Sequence, residues 1–552
     1  MSIFSKVAMP KPASNTFDLS HDKKFSMKIG EITPICLMEC VPGDKFNITS
    51  TNLLRFAPLL SPVMHQSSVY IHFFFVPNRI LWQKGFSSTG TQVKGWEDFI
   101  SGGEDGLSDP AFPIIQPVAG TNMIESGSIW DYLGLPTGTT AAASSADYQG
   151  ESFSALPIAA YNKIYNEYYR DQNLITTPLP DSLIDGDNTE LIYADALGNK
   201  KSEMQKRAWQ HDYYTSALPW TQKGPEATIP LGTTAPLIYG DYHTGTNQDF
   251  QLLRPQYSID PTGALASRAG NYITDQYGII TDPDGTSDKA NVDVSRTHIA
   301  DLSEASASSI NDLRRAFRLQ EWLERNARGG SRYIEIIMAH FGVKSSDSRL
   351  QRPEFLGGSA TPVTISEVLQ TSSTTGEPDP QGNMAGHGVS VGASKKVSYF
   401  CEEYGLIMGL MTVMPKSAYQ QGLPKLYKKY DKFDYFWPAF QSIGEQPIYN
   451  EELYFDRTDS LNDGIFGYTP RYAEYKYIPS TVHGEMRNTL NFWHMGRVFD
   501  TRPSLNQDFI ECDNAEVERI FAVNTDAENL YVYLHNKVQA TRPMVYFGTP
   551  TI

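Results

Sequence analysis

The residues whose types and spacing could do chemistry are few. GHGVSVG sets Gly386, Gly388 and Gly392 in the order GxGxxxG. A dinucleotide site needs GxGxxG between a strand and a helix, where backbone N–H groups meet a pyrophosphate. This spacing is one residue too long, and its flanks read as a Gly/Pro-rich turn region. There is no GxxxxGK[ST] phosphate loop and no HExxH zinc helix. His65 and His72 fall on opposite faces of a strand, which suits no shared metal. A site from His21, Asp22, Cys36 and Cys40 has no recognised ligand spacing. The four cysteines, Cys36, Cys40, Cys401 and Cys512, therefore read as free thiols in a reducing compartment, packed as small hydrophobes.

Two groups could instead bind. Arg314, Arg315 and Arg318, with Arg325 and Arg328, lie along one predicted helix. They are either a phosphate-facing surface or a salt-bridged face, since Glu321/Arg325 and Glu324/Arg328 stand at i, i+4. The aromatic runs FDYFWPAF (Phe433–Phe440) and NFWHMGR (Asn491–Arg497) could stack bases or build core and subunit contacts. The net charge of −17 decides between them. A protein that holds nucleic acid by its own charge is basic. Core or interface is the preferred reading for Phe436, Trp437, Trp493 and Arg497, and any DNA contact is local. Lys23, Lys24, Arg314, Arg315 and Arg318 are the weak candidates for it.

The elements that must carry these residues are mostly strands. Aromatic content is 12%, with 31 Tyr and 27 Phe, and Gly plus Pro (42 and 34 residues) favour short strands joined by long turns. VYIHFFFV (Val69–Val76) is apolar on both faces and should be covered on both sides. Leu406–Val413, Ala473–Tyr477, Leu530–Leu534 and Pro543–Phe547 are further strand candidates. Two helices are expected. Ile158–Asn173 carries the stripe Tyr161, Ile164, Tyr165, Tyr168. Asp312–Arg328 carries Leu313, Ala316, Leu319, Leu323 and Ala327, with Asn311 as cap and Gly329-Gly330 as stop. Residues 1–30 read as an extended arm. Ser87–Ser128, 175–205 and 230–308 read as surface insertions, the last too long for a plain loop. The polar start lacks a leader's apolar core, and the longest apolar run, Tyr404–Met414, is too short to span a bilayer. These features predict a mainly β single domain, a β-sandwich with long excursions and a few helices.

The same segments resemble the major capsid proteins of the Microviridae, in the gokushovirus branch. The resemblance runs in order through FDLSH (Phe17–His21), PGDKF (Pro42–Phe46), APLLSPVMH (Ala57–His65), YIHFFFVPNR (Tyr70–Arg79) and YNKIYNEYYRDQN (Tyr161–Asn173). It continues through DYYTSALPWTQKGP (Asp212–Pro225), LQEWLERNARGGSRYIE (Leu319–Glu335), HFGVKSSDSRLQRPEFLGG (His340–Gly358), KFDYFWPAF (Lys432–Phe440) and PRYAEYKYIPSTVHG (Pro470–Gly484). It implies an eight-stranded antiparallel jelly roll with long insertion loops, and no enzyme. It implies sixty copies in a T=1 icosahedral virion around a circular single-stranded DNA genome, assembled in the bacterial cytoplasm. It also implies an internal scaffolding protein, a small basic internal DNA-binding protein, and a host receptor met by the 230–308 insertion as a threefold protrusion. A jelly-roll glycan-binding adhesin and a β-sandwich glycoside hydrolase are the alternatives. The first needs a repeating Asp/Asn geometry and the second a paired carboxylate cleft.

Overall fold

The computed structural model describes residues 13–547, except 88–89, 104–108, 117–125, 138–150, 193–202, 226, 370–383, 459–460, 524–527 and most of 228–309. The chain divides into two compact units. One is Met1–Lys223 with Glu324–Ile552, and the other is Gly224–Leu323.

The first unit is built on two antiparallel sheets. Its strands are β1 (Asn15–Asp18), β2 (His21–Met27), β3 (Thr33–Cys40), β4 (Lys45–Phe56), β5 (Ser67–Pro77), β6 (Glu354–Pro362), β7 (Thr364–Leu369), β8 (Met384–Ala393), β9 (Val397–Phe400) and β10 (Gly405–Pro415). A small hairpin, β11 (Glu445–Tyr449) with β12 (Ile465–Pro470), precedes the long β13 (Leu530–Arg542). The seven-stranded sheet runs β1-β13-β4-β8-β7, with β2 also on β13 and β9 also on β4. The four-stranded sheet runs β6-β5-β10-β3. Residues 15–27, inside the expected arm, are thus strands paired to β13.

Strand period explains the layering. In β4, KFNITSTNLLRF alternates strictly, burying Phe46, Ile48, Ser50, Asn52, Leu54 and Phe56. These meet Val532, Leu534 and Val538 of β13, Ile35 and Met38 of β3, Ile71 and Phe73 of β5, and Ile407 and Met411 of β10 in one core between the sheets. The opposite face of the four-stranded sheet is covered too. Phe74, Val76, Leu406, Met408 and Leu410 pack on helix α1 (Leu156–Ile164) in a second core. That double cover leaves all eleven residues of β10 buried, and it bears out the reading of Val69–Val76.

The second core also uses stretches expected as plain surface insertions. Val93, Ile115, Leu183 and Ile192 are buried there, because scattered apolar residues plug the sheet's outer face. Helix α1 stops short of the expected Asn173. After Ile164 the chain makes one π turn, Tyr165–Tyr169. The extra residue brings neighbouring tyrosines onto one strand: Tyr168 lies 4.8 Å from the Phe74 ring, and Tyr169 stacks on His72.

Three other expectations are corrected. Ala473–Tyr477 is not a strand. Tyr472 sits at φ 60°, its N–H donating to Gln446 Oε1 (3.0 Å), and Ala473–Tyr475 follows as a 3₁₀ turn. Pro543–Phe547 is a turn, since β13 ends at Arg542 and Pro543 has no N–H to extend the ladder. The GHGVSVG glycines lie in strand β8, not in a turn. A Cβ on Gly386 would come 2.1 Å from the Ser61 carbonyl oxygen, and one on Gly388 would come 2.8 Å from the Phe56 ring. They are glycine because backbone and ring approach closely.

Helix α2 (Ile310–Arg328) starts one residue before the expected cap Asn311 and stops at Gly329-Gly330, with Gly330 at φ 98°. Leu323 and Ala327 of its stripe are buried, while Leu313 and Leu319 are exposed. Helix α3 (Tyr333–Phe341) follows. In the second unit, Leu237–Tyr239 pairs with His298–Ala300, and Ile273–Thr274, Ile279–Thr281 and Ala290–Asn291 form a small meander. The rest of the expected 230–308 insertion lies outside the described residues.

Candidate subunit-contact surface

The segment KLYKKYDKFDYFWPAF (Lys425–Phe440) leaves β10 behind and runs over the first unit as three 3₁₀ turns, Lys425–Lys428, Lys432–Asp434 and Pro438–Phe440. Proline and aspartate set these turns. Asp434 Oδ2 accepts from the Asp431 N–H (2.8 Å) and the Tyr430 N–H (3.0 Å), and Pro438 opens the last.

Three of its four lysines pair with glutamates of the body, Lys428 keeping 34% of its side chain exposed, while Lys432 is exposed. Lys428 pairs with Glu451 at 2.9 Å, Lys429 with Glu474 at 3.0 Å and Lys425 with Glu452 at 3.6 Å. The Lys429 side chain is only 4% exposed and lies 3.9 Å from the Tyr475 ring centre. Burial pushes the Glu452 carboxyl up, opposed by the Lys425 charge. Burial also pushes Glu474 up, but hydrogen bonds from Gln446 and Lys429 outweigh it and hold that carboxyl low.

The aromatics point outward. Every residue from Tyr430 to Ala439 is exposed, Tyr430 at 83%, Phe436 at 47% and Trp437 at 49%. Leu426, Tyr427, Tyr475 and Ile478 extend the surface. Phe436 is propped edge-on against Tyr472 at 5.1 Å. The Trp437 indole N–H donates to the Lys432 carbonyl (2.8 Å), so its one polar atom is already used.

The other candidates separate. Arg497 is core: its guanidinium is 1% exposed by residue, forks onto Glu516 with two 2.9 Å bonds and lies 4.3 Å over the Phe509 ring. Trp493 is half-buried. Lys23 is turned inward, donating to the carbonyls of Pro34 (2.9 Å) and Tyr132 (2.6 Å), and burial pulls its pKa down to about 8. Lys24 is exposed beside the Tyr533 ring. Arg314 and Arg315 are exposed, and Arg318 pairs with Glu321 (2.6 Å). Arg328 leaves its expected partner Glu324 and forks onto Glu445.

Among the described residues no catalytic or metal-binding constellation is assembled. Cys36 and Cys40 are buried between the sheets, and burial pushes the Cys36 thiol up to about 12. Asp22 is engaged by Tyr533 and His535. Among the described residues no group of three His, Cys, Asp or Glu could hold a metal ion, and no helix is long and apolar enough to cross a membrane. Gly388–Gly392 also reads GVSVG, the spacing of a serine nucleophile elbow. Ser390, however, is buried mid-strand and donates to the Pro362 carbonyl (3.0 Å), whereas an elbow needs an exposed strand-to-helix turn. The lysine–glutamate anchors were missed in the sequence. Their partners stand 23 to 45 positions away, a separation that no local pattern marks.

A β-sandwich that displays a surface of exposed aromatics is suited to act by contact with another macromolecule. The comparisons give the family. The profile of the capsid protein (F protein) family matches residues 5–552. Capsid protein VP1 of Bdellovibrio phage phiMH2K is 35% identical, covering 99% of this chain and 97% of that protein. Capsid protein VP1 of Chlamydia phage 1 is 33% identical over 99% and 97%, and that of Spiroplasma virus 4 is 31% identical over 96% and 94%. The chain belongs to the capsid protein (F protein) family of gokushovirus-like Microviridae. It is a structural component of a bacteriophage virion and not an enzyme.

Proposed function

We propose that this chain is the repeating unit of a closed T=1 shell of sixty copies around a circular single-stranded DNA genome, built on an eight-stranded jelly roll. The eight strands are β2, β3, β4, β5, β6, β8, β10 and β13. Their pairing is that of a folded-over antiparallel ribbon: first with last, second with seventh, third with sixth and fourth with fifth. That pattern supports two interlocked Greek keys, with β1, β7 and β9 as additions. The separate compactness of Gly224–Leu323 supports a single capsid domain bearing one large excursion, the 230–308 insertion, as the surface that meets a host receptor.

The observation that carries the reading is the family match over residues 5–552 together with that ribbon pairing. Charge sets the partners. Sixty copies at −17 each (60 × −17) give a shell of −1020 formal charges, so it cannot neutralise a polyanionic genome in bulk. A small basic internal protein does that, and an internal scaffolding protein holds the like-charged copies together during assembly in the host cytoplasm. Lys24, Arg314 and Arg315 remain exposed for local DNA contacts. The test is electron microscopy of purified material with its nuclease-resistant DNA measured alongside. Isometric particles roughly 25–30 nm across, the size of sixty such subunits at interior-like density, with protected single-stranded DNA, are expected. Only monomers or small rings, even on co-expression with the other virion proteins, would overturn it.

A further inference from the structure

We infer that the exposed platform Tyr430–Ala439 is a contact between two copies of this chain, and not a stacking surface for the packaged DNA. The inference rests on the shell reading and assigns it a surface.

Aromatics interleaved with lysines are what a single-strand binder displays: rings for bases and cations for the backbone. The sequence KLYKKYDKFDYFW has both. The fold separates them. Lys425, Lys428 and Lys429 are turned onto Glu452, Glu451 and Glu474, carboxylates whose side chains are themselves 3%, 4% and 15% exposed. Within Tyr430–Ala439 the exposed charges are then Lys432 against Asp431 and Asp434, a balance of −1. Arg471, donating to the Phe433 carbonyl (3.4 Å), offsets that charge, so the platform is near neutral and offers a polyanion little counterion release. What remains outside is Tyr430, Phe433, Tyr435, Phe436 and Trp437, three of them braced from within. Phe436 leans on Tyr472, Phe433 on Phe440 at 5.5 Å, and the Trp437 N–H is tied to its own turn. Five aromatics among ten exposed residues match the aromatic enrichment of a protein–protein interface core.

Charge permits the occupant. With Arg471 beside Phe433 the local charges cancel, so this surface adds little repulsion between two copies of a chain of −17. The paired lysines serve this end. They fix the segment to the body by ion pairs while removing cations that would attract nucleic acid, so they act as specificity elements against the genome.

The test is hydroxyl-radical footprinting of the full chain in three states: unassembled, in empty particles and in DNA-filled particles. Buried Trp82 and Trp209 serve as internal references. Tyr430, Tyr435 and Trp437 are expected to lose oxidation several-fold on going from the free chain to empty particles, with no further loss on filling. Protection that appears only in filled particles would assign the platform to DNA and overturn the inference. Reactivity equal in all three states would overturn it while leaving the shell reading intact, whereas failure to obtain any particles would overturn the shell reading itself. A second arm uses Phe436→Ser with Trp437→Ser, half-exposed positions, with the urea midpoint of the unassembled chain measured alongside to separate loss of fold from loss of contact. Several-fold lower particle yield with unaltered binding of an oligothymidylate probe is expected. Wild-type yield with weakened oligothymidylate binding would contradict it.

Discussion

Arg497 and Trp437 look alike in the sequence, each a large residue in an aromatic run, and the structure gives them opposite roles. Arg497 is locked under Phe509 and onto Glu516 inside the first unit. Arg497→Ala strands a carboxylate beside a cavity. It should cost about 3–5 kcal/mol and lower the urea midpoint of the unassembled chain before assembly is reached. Trp437→Ala should leave that midpoint within about 0.5 kcal/mol. Titration adds a second residue-scale expectation. Burial pulls His65 and His72 down to about 4. The unfolded chain therefore takes up protons near the ordinary 6.5 while the folded chain does not, and stability falls as pH drops from 6.5 to 4. Glu31, pushed up to about 7 by burial, acts with the opposite sign, losing stability as pH rises from its ordinary 4.5 to 7. His494 is lowered with the two histidines, and Glu354, Glu452 and Glu511 are raised by burial with Glu31, so the expectation is a difference between variants. His65→Gln, which keeps a donor for the Lys416 carbonyl, should lose less of its urea midpoint than the native chain as pH drops from 6.5 to 4.

The elements show why part of the fold was legible and part was not. β5 and β10 announce themselves by near-unbroken apolarity, since burial on both faces writes directly into the residue pattern. Ala473–Tyr477 alternates equally well and is a turn, because Gln446, 26 positions earlier, holds the Tyr472 N–H and Glu474 points inward to Lys429. The π turn after Ile164 depends on where Phe74 and His72 stand, which local sequence does not encode. The contact surface was half legible. Its aromatic run is visible, but the pairing of its lysines depends on distant glutamates. The glycines of β8 make an element-scale prediction. Gly386→Ala drives a methyl into the Ser61 carbonyl, a backbone atom that cannot step aside. It should destabilise the chain by about 1–3 kcal/mol and deplete soluble protein. Val391→Ala, on the same strand but 67% exposed, should be close to neutral. Paired chemical denaturation of the two variants checks this.

For the whole molecule, repeated weak contacts between acidic subunits must overcome mutual repulsion. Empty-shell assembly, followed by light scattering, should therefore be promoted as ionic strength rises to about 0.15 M, where charges beyond about 8 Å are screened. Apolar contacts such as those of the Tyr430–Ala439 platform are not weakened by that screening. The most direct measurement is a cryo-electron microscopy reconstruction of the assembled particle. The expected result is a closed shell whose subunit keeps the two-sheet register, Leu530 opposite Phe56 and Gly405 opposite Pro77, with Tyr430–Ala439 buried against a neighbouring copy. A shell in which that segment faces solvent or genome density would contradict the account.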